Sequence, residues 1–409
     1  MNIRWNSVRN TMLEKIDTKR VTQLFMKLLR KSVWASVYVF GCVSGCGAAC
    51  AESGWVRHVI HEGEQSMTAV AGDFTGDGLV DVISDSGRLT RLFVSPDWRE
   101  VILDEHDDCK WYIHSEFFDV DRDGDLDYIA ARYNPGRIIW LEQPETGETQ
   151  RWRKHLIDDT IHGIHGLIKG DVEKDGQWEL FATSAQPKEP YPESLVWFAV
   201  PDNPQQASRW QPHVFADRDA PGLTHYLGVG DVNGDGHIDA ATGAKGGPQA
   251  ASQGDWFAWW EAPKDPASPW MKHLVSDQEP GATNIHPVDV NGDTVMDFIA
   301  SRGHGRGVVW FEGPEWQRHD IDASIQEPHC LVAVDMDGDG DVDAATCAFG
   351  SQEAAWYENN GEGLFLKHHV GSEQEAYDIR AVDMDRDGDF DLLVAGRGSR
   401  NVVWYEHVR

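Results

Sequence analysis

The chain is short of cysteine, short of basic residues and without an apolar run long enough to span a bilayer, and each shortage removes a class of protein. Of its six cysteines, Cys42, Cys46 and Cys50 lie near the amino end, which leaves Cys109, Cys330 and Cys347 for the body. Three cysteines spread over so long a body are not a disulfide framework. Cys330 and Cys347 flank one acidic loop on neighbouring strands, so the sequence admits either one bridge or two buried thiols. Lys and Arg total 36 against 68 Asp and Glu, a formal net charge of −32. Phosphate backbones and anionic lipid surfaces select cationic proteins, so nucleic acid is excluded as a partner, and a membrane is expected only through an anchor. After residue 54 there is no amphipathic helical period, no Gly-x-Ser-x-Gly, no His-Glu-x-x-His and no phosphate loop. What abounds is tryptophan (18) and glycine (40), residues of strands and tight turns.

The amino end has the pattern of an export signal. Met26-Lys27-Leu28-Leu29-Arg30-Lys31 is basic, and residues 32–45 follow without a charge, a length suited to a signal's apolar region. The stretch closes on Val43-Ser44-Gly45-Cys46, which resembles the bacterial lipobox, with lipidation at Cys46; a plain secretory cut near Ala48-Ala49 is the alternative. The expected organisation is a signal at 1–46 (Met26 being a candidate true start), a linker at 47–54 and one domain at 55–409. The protein is expected outside the cytoplasm, as an envelope lipoprotein or a secreted protein.

One nine-residue pattern recurs seven times: Asp at position 1, an oxygen-bearing side chain at 3, Asp at 5, usually Gly at 6, and an acid at 9. The copies begin at Asp73, Asp119, Asp171, Asp231, Asp289, Asp335 and Asp383. An apolar run precedes each loop, and a small-residue run such as Asp343-Ala344-Ala345-Thr346 follows it. Next come a Trp-aromatic-acid strand such as Trp356-Tyr357-Glu358 and a short Trp-x-x-His strand such as Trp316 to His319. Seven units of four strands predict an all-β, seven-bladed β-propeller of four-stranded antiparallel blades. The last copy ends on its third strand, and the body opens on an unattached fourth, Trp55-Val56-Arg57-His58. The two should pair and close the ring, with the N-terminal strand completing the last blade.

The aspartate loops, the small residues after them and the Trp-Tyr-Glu strands resemble FG-GAP/VCBS repeat proteins, over residues 55–409. That resemblance implies the propeller fold and leaves the function open, since such proteins include adhesion modules, lectin-like proteins and some enzymes. Carboxylates at positions 1, 3, 5 and 9 of a tight loop suit Ca²⁺, a hard cation taking six to eight oxygens. Three loops are complete: Asp119/Asp121/Asp123/Asp127, Asp335/Asp337/Asp339/Asp343 and Asp383/Asp385/Asp387/Asp391. Asp231/Asn233/Asp235/Asp239 is nearly so, and these four are the expected structural calcium sites. The others depart from the pattern: Thr75 at position 3, Glu173 and Glu179 in the third loop, and Thr294 in place of Gly in the fifth.

The eighteen histidines fall into two sets. One recurs on outer strands (His58, His155, His213, His273, His319, His368) and is expected to pack against the Trp ring. The other stands near the starts of innermost strands: His114, His165, His225, His286 and His329, with Tyr377 in the matching place of blade seven. Arg132, Lys245, Arg302 and Arg397 end the following strands, so the two groups should crowd one mouth of the channel. A ring of His, Arg and Lys in so acidic a chain suits an anion held by guanidinium forks, or a transition metal on two or three imidazoles.

The first functional expectation is a surface binding module for an anionic polysaccharide or a surface protein. The alternative is a carbohydrate lyase or dehydratase, with His165, His225, His329 and Tyr377 as catalytic candidates and His114, His286, Arg132, Lys245, Arg302 and Arg397 as ligand contacts. Trp256, Trp259 and Trp260 are candidates for stacking on a sugar, with Trp259 also the expected structural Trp of its blade.

Overall fold

Each repeat folds into the four strands its pattern predicts. The computed structural model describes residues 54–106, 112–144, 151–250 and 253–408; the expected export signal, the candidate start Met26, the expected lipidation site Cys46 and Cys109 lie outside them. Among the described residues there are seven four-stranded antiparallel sheets and one 3-10 turn, Pro248–Ala250. We call the strands of a blade A to D from the axis outward. The A strands are Ser66–Gly72, His114–Phe118, Leu167–Gly170, Thr224–Gly230, Asn284–Val288, Pro328–Val334 and Asp378–Val382. A strands of neighbouring blades touch all the way round, blade 1 with blade 7 included, so the sheets form a closed seven-bladed β-propeller.

Closure occurs as the sequence predicts. Trp55–Glu62 pairs antiparallel with Asn401–His407, with Trp55 opposite His407 and His58 opposite Trp404. Trp55 also packs edge-on against Trp356 of blade 6, so the closing strand is held by its neighbour as well as by its ladder. Between blades the packing alternates small and large. The B strand Asp343–Ala348 is wholly buried, and its Ala345 and Cys347 share a cluster with Trp356, Ile379, Leu392, Val394 and Tyr405. Cys330 and Cys347 stand directly opposite in register, and both are free, buried thiols.

The outer histidines are packing elements. His155 stacks on Trp140 at 4.3 Å and its Nε2 meets Glu142 at 2.6 Å. The same triad recurs as Trp404–His58–Glu406, Trp259–His273–Glu261, Trp310–His319–Glu312 and Trp356–His368–Glu358. His213 stacks on Trp197 at 4.0 Å, but Ala199 stands where the five triads carry Glu.

Every acidic loop is a hydrogen-bonded hairpin built by its own carboxylates. Position 1 accepts the N–H of position 6 in all seven copies, from Gly78 to Asp73 at 3.0 Å through Gly388 to Asp383 at 3.2 Å. Position 5 likewise caps the N–H of position 7. The position-9 carboxylate ties the hairpin to its sheet. Asp127, for example, accepts Val120 N–H at 2.9 Å and Gln143 N–H, beyond the C strand, at 2.8 Å. Position 6 is always left-handed, which glycine adopts freely; Thr294 does so at φ 69.

Candidate functional site

Three of the sequence-picked histidines converge, each carried in from a different blade. His165 (blade 3), His225 (blade 4) and His329 (blade 6) each offer one ring nitrogen, and these atoms lie within 4.8 Å of one another. His165 stacks on His225 at 4.0 Å, and His329 stacks on Tyr377 at 3.7 Å. His225 and His329 are almost fully buried, at 2% and 1% exposure.

A fourth imidazole, His304, joins them from the hairpin between strands B and C of blade 5, its Nε2 3.0 Å from that of His225. The run Gly303-His304-Gly305 explains the reach. A Cβ on Gly303 would meet the His329 backbone at 2.7 Å, and one on Gly305 would collide with the Pro280 carbonyl oxygen. Only glycines on both sides let this hairpin lie so close to its neighbours. His304 was not legible among the A-strand histidines; that small-residue run was the available signal.

The tautomers follow from the partners. His225 Nδ1 lies 3.0 Å from the Leu223 carbonyl, which can only accept, so Nδ1 carries the proton and Nε2 is a lone pair. That lone pair is met by His304, whose Nε2–H therefore donates to it. His329 Nδ1 lies 3.2 Å from the Tyr377 carbonyl and is protonated for the same reason, leaving His329 Nε2 buried and without a hydrogen-bond partner, as is His165 Nδ1. Burial keeps all four rings neutral. It holds the pKa of His165 at about 3, reinforced by His304, and that of His304 at about 4, reinforced by Lys245 and Arg397. His225 and His329 are pushed well below the usual imidazole range, by burial first and by neighbouring histidines second.

His165, His225 and His304 line a cavity of about 400 Å³, together with Tyr133, Asn134, Lys245, Gln249, Tyr377 and Arg397. Among the described residues no carboxylate lines it. Arg397 lies over the Tyr377 ring at 4.4 Å. Lys245 is held below its usual pKa by burial, and the insert that follows it, Gly246 to Gln249, walls a smaller adjoining cavity with His304.

The remaining candidates go elsewhere. His286 turns sideways to donate from Nε2 to the Leu331 carbonyl at 2.9 Å, a strut between blades 5 and 6. His114 is buried against Tyr226. Arg132 lies over Tyr112 at 4.3 Å, in a separate cavity that reaches the outer strand of blade 2. Arg302 faces Glu279 at 3.6 Å, which it shares with Arg318. Trp256 and Trp260 are 8% and 0% exposed, and their indole N–H groups donate to Pro221 and Asp219. They are core residues and offer no platform to a sugar, while Trp259 is the blade's structural Trp, stacked on His273.

The acidic loops bring carboxylates together at Asp119/Asp121/Asp127, Asp335/Asp337/Asp339 and Asp383/Asp385/Asp391. The four-residue sets expected from the sequence are therefore not reproduced in full. Asp123 and Asp387, both at position 5 and both exposed, stand outside their clusters. Each turns a carboxylate oxygen back to the N–H two residues on, Asp123 to Asp125 at 3.0 Å and Asp387 to Asp389 at 3.2 Å. Asp343 is also outside its cluster, because its carboxylate accepts from Met336 N–H, Asn359 N–H and the Trp356 indole.

The fourth expected site, Asp231/Asn233/Asp235/Asp239, does not gather as a cluster. Its exposed side chains bond to one another and to their own turn. Asn233 accepts the Asp235 N–H at 3.0 Å and donates its amide to the Asp235 carboxylate at 3.3 Å. Asp235 caps the His237 N–H at 2.7 Å, and Asp239 is drawn into the sheet by Val232 and Ala262 N–H. After the hairpin bonds are made, Asp73 Oδ1, Asp121 Oδ1, Asp231 Oδ1 and Asp383 Oδ1 remain buried without a hydrogen-bond partner. Burial raises the pKa of Asp127 to about 8 and of Asp391 to about 7.

Residues 309–394 match the family described as an FG-GAP-like repeat. The chain is a repeat β-propeller. Over 249 residues it is 23% identical to aldos-2-ulose dehydratase of Phanerodontia chrysosporium, which covers 53% of this chain and 26% of that protein. The match thus spans about a quarter of the relative's length. A chain in the crystal structure of BBS1N in complex with ARL6DN, soaked with lead, aligns with TM-score 0.56 and 10% identity over 88% of this chain and 98% of that chain; the likeness is one of fold alone. A chain of the nidogen/laminin complex aligns at TM-score 0.43 and 12% identity, covering 66% of this chain and 84% of its own.

Proposed function

We propose that this propeller is a carbohydrate-active eliminase, a lyase or dehydratase, working on an anionic sugar at the channel mouth. The observation that carries it is the convergence of three neutral imidazoles from three blades, two of which line a cavity with Arg397 and Lys245 on its wall. A surface module needs only the cations, whereas imidazole lone pairs gathered within 4.8 Å of one another suit a divalent transition metal once His304 turns away from that of His225. The ring nitrogens opposite those lone pairs, on His225 and His329, donate to backbone carbonyls, as ligating histidines usually do. His165, His225 and His329 would hold the ion, which when bound would polarise a substrate carbonyl or carboxylate. The similarity to a dehydratase points the same way.

The chain's own groups have distinct parts in such a reaction. Arg397 grips the carboxylate in a bidentate fork. His304, neutral and the most exposed of the four, accepts the proton removed next to that carboxylate. Tyr377, whose burial raises its pKa, keeps its O–H and donates to the departing oxygen. Lys245 balances charge on the opposite wall. The Asp119, Asp335 and Asp383 loops, whose carboxylates come together, hold structural Ca²⁺, and the protein works outside the cytoplasm, as its leader suggests.

The test is incubation of purified protein with a panel of acidic oligosaccharides, with absorbance of unsaturated products as the readout. Turnover that vanishes in Arg397→Met and falls at least 100-fold in His304→Asn supports the eliminase. Saturable binding without turnover, in protein loaded with zinc or manganese, would leave the binding module standing instead.

A further inference from the structure

Tyr226 follows His225 on the A strand of blade 4, and nothing in the repeat pattern singles it out. Its backbone is pinned, the N–H donating to the Thr283 carbonyl at 3.2 Å and the carbonyl accepting Thr242 Oγ1 at 2.7 Å. Its side chain crosses the channel: the hydroxyl donates to the Tyr377 carbonyl of blade 7 at 2.8 Å and lies 3.1 Å from His329 Nδ1. The ring is 3% exposed and packs against His114 at 4.9 Å, His165 at 5.4 Å and His329 at 5.6 Å. It therefore lies under the imidazole cluster and touches two of its three members.

The hydrogen bonds leave one consistent assignment. The Tyr377 carbonyl accepts twice, from the Tyr226 O–H and from His329 Nδ1–H. The Tyr226 proton is thereby committed, so its oxygen can only accept from the same Nδ1–H. The opposite arrangement, with Tyr226 donating to a bare Nδ1, would set that lone pair against the Tyr377 carbonyl oxygen at 3.2 Å. From this geometry we infer that Tyr226 is the positioning residue of the histidine centre: beside the Tyr377 carbonyl it gives the His329 Nδ1–H a second acceptor, and so fixes the ring with its bare Nε2 aimed at His165 and His225. The consequence for metal rests on the function proposed above; the tautomer does not. Groups that orient a ligating histidine typically change metal affinity 10–100-fold when removed.

Tyr226→Phe deletes one oxygen and keeps the ring. In metal-free wild-type protein, long-range ¹H–¹⁵N spectra of the histidine rings should show His329 protonated at Nδ1 alone. In Tyr226→Phe the Tyr377 carbonyl still keeps the proton on Nδ1, but the Nδ1–H resonance should move as it loses its second acceptor, and Co²⁺ or Zn²⁺ affinity by calorimetry should fall about 10–100-fold with an altered visible spectrum of bound Co²⁺ and an unchanged fold by circular dichroism. A wild-type His329 protonated at Nε2 overturns the inference without any variant, as does a Tyr226→Phe protein with an unchanged Nδ1–H resonance and unchanged affinity. Absence of metal binding in the wild type would overturn the metal centre, while the Nδ1–H resonance would still decide the role of Tyr226.

Discussion

Replacing His155 by Ala tests whether the outer histidines are structural, and the ring carries its own control. His155 loses a stacked contact with Trp140 at 4.3 Å and a hydrogen bond to Glu142 at 2.6 Å, with side chains 7% and 19% exposed. Stacking of this kind contributes about 0.5–1.5 kcal/mol, and a hydrogen bond to a charged group about 1.5–3 kcal/mol when well buried. Allowing for the partial exposure of Glu142, His155→Ala should cost roughly 2–3 kcal/mol. His213 has the stack on Trp197 but Ala199 in place of the acid, so His213→Ala should cost about 1 kcal/mol. Urea unfolding followed by tryptophan fluorescence measures both. Equal losses would refute the reasoning, because they would mean that the carboxylate contributes nothing; so would a His155→Ala variant that keeps its stability but loses activity or ligand binding.

Thr294→Gly should stabilise the protein by about 0.5–1 kcal/mol, since a β-branched residue at φ 69 is strained by about 1–2 kcal/mol and glycine returns part of that as unfolded-state entropy; a loss of stability on urea unfolding would contradict it. His286, half-buried with its pKa lowered to about 4 by desolvation, is neutral when folded and protonates only when unfolded as pH falls below about 6.5. Its contribution is therefore full above that pH and declines towards pH 4, by roughly 2–3 kcal/mol at pH 4.5. His286→Asn should flatten the acid limb of the stability curve by that amount, and identical pH profiles would count against it. Calcium at 100 times its dissociation constant should add about 2.7 kcal/mol per occupied loop, so a chelator should lower the melting temperature and calcium restore it; indifference to both would leave the loops as turns alone.

The fold was open to sequence reasoning because its signals are local and repeated. A carboxylate at position 1 reaches the N–H of position 6, and a histidine three residues after a Trp reaches the next strand's indole, so each copy reports the same geometry. The unmatched strand at Trp55 likewise declared its partner. The loops were legible as turns more fully than as ligand sets: the position-5 carboxylate caps the N–H two residues on in every copy, and of the four loops expected to bind only that of Asp335 keeps this residue in its cluster. The channel site was only half legible. His165, His225 and His329 share a repeat position, and that placed them at one mouth, but the repeat could not say which way each ring turns. His286 swings to a neighbouring carbonyl, and Arg302 is held by Glu279, because these partners lie outside the repeat positions that were compared. His304 and Tyr226 lie off those positions too, one on a hairpin narrowed by glycines and the other one residue past a chosen histidine. Trp256 and Trp260 looked available in an insert rich in glycine, yet they fold inward against Pro221 and Asp219.

The most direct test of the histidine centre is anomalous diffraction at the zinc edge from crystals of the full propeller grown with Zn²⁺. The centre should appear as one peak within bonding distance of His165, His225 and His329, lost in His225→Ala. Zinc density confined to the acidic loops or the surface, with none among the three imidazoles, would contradict the account.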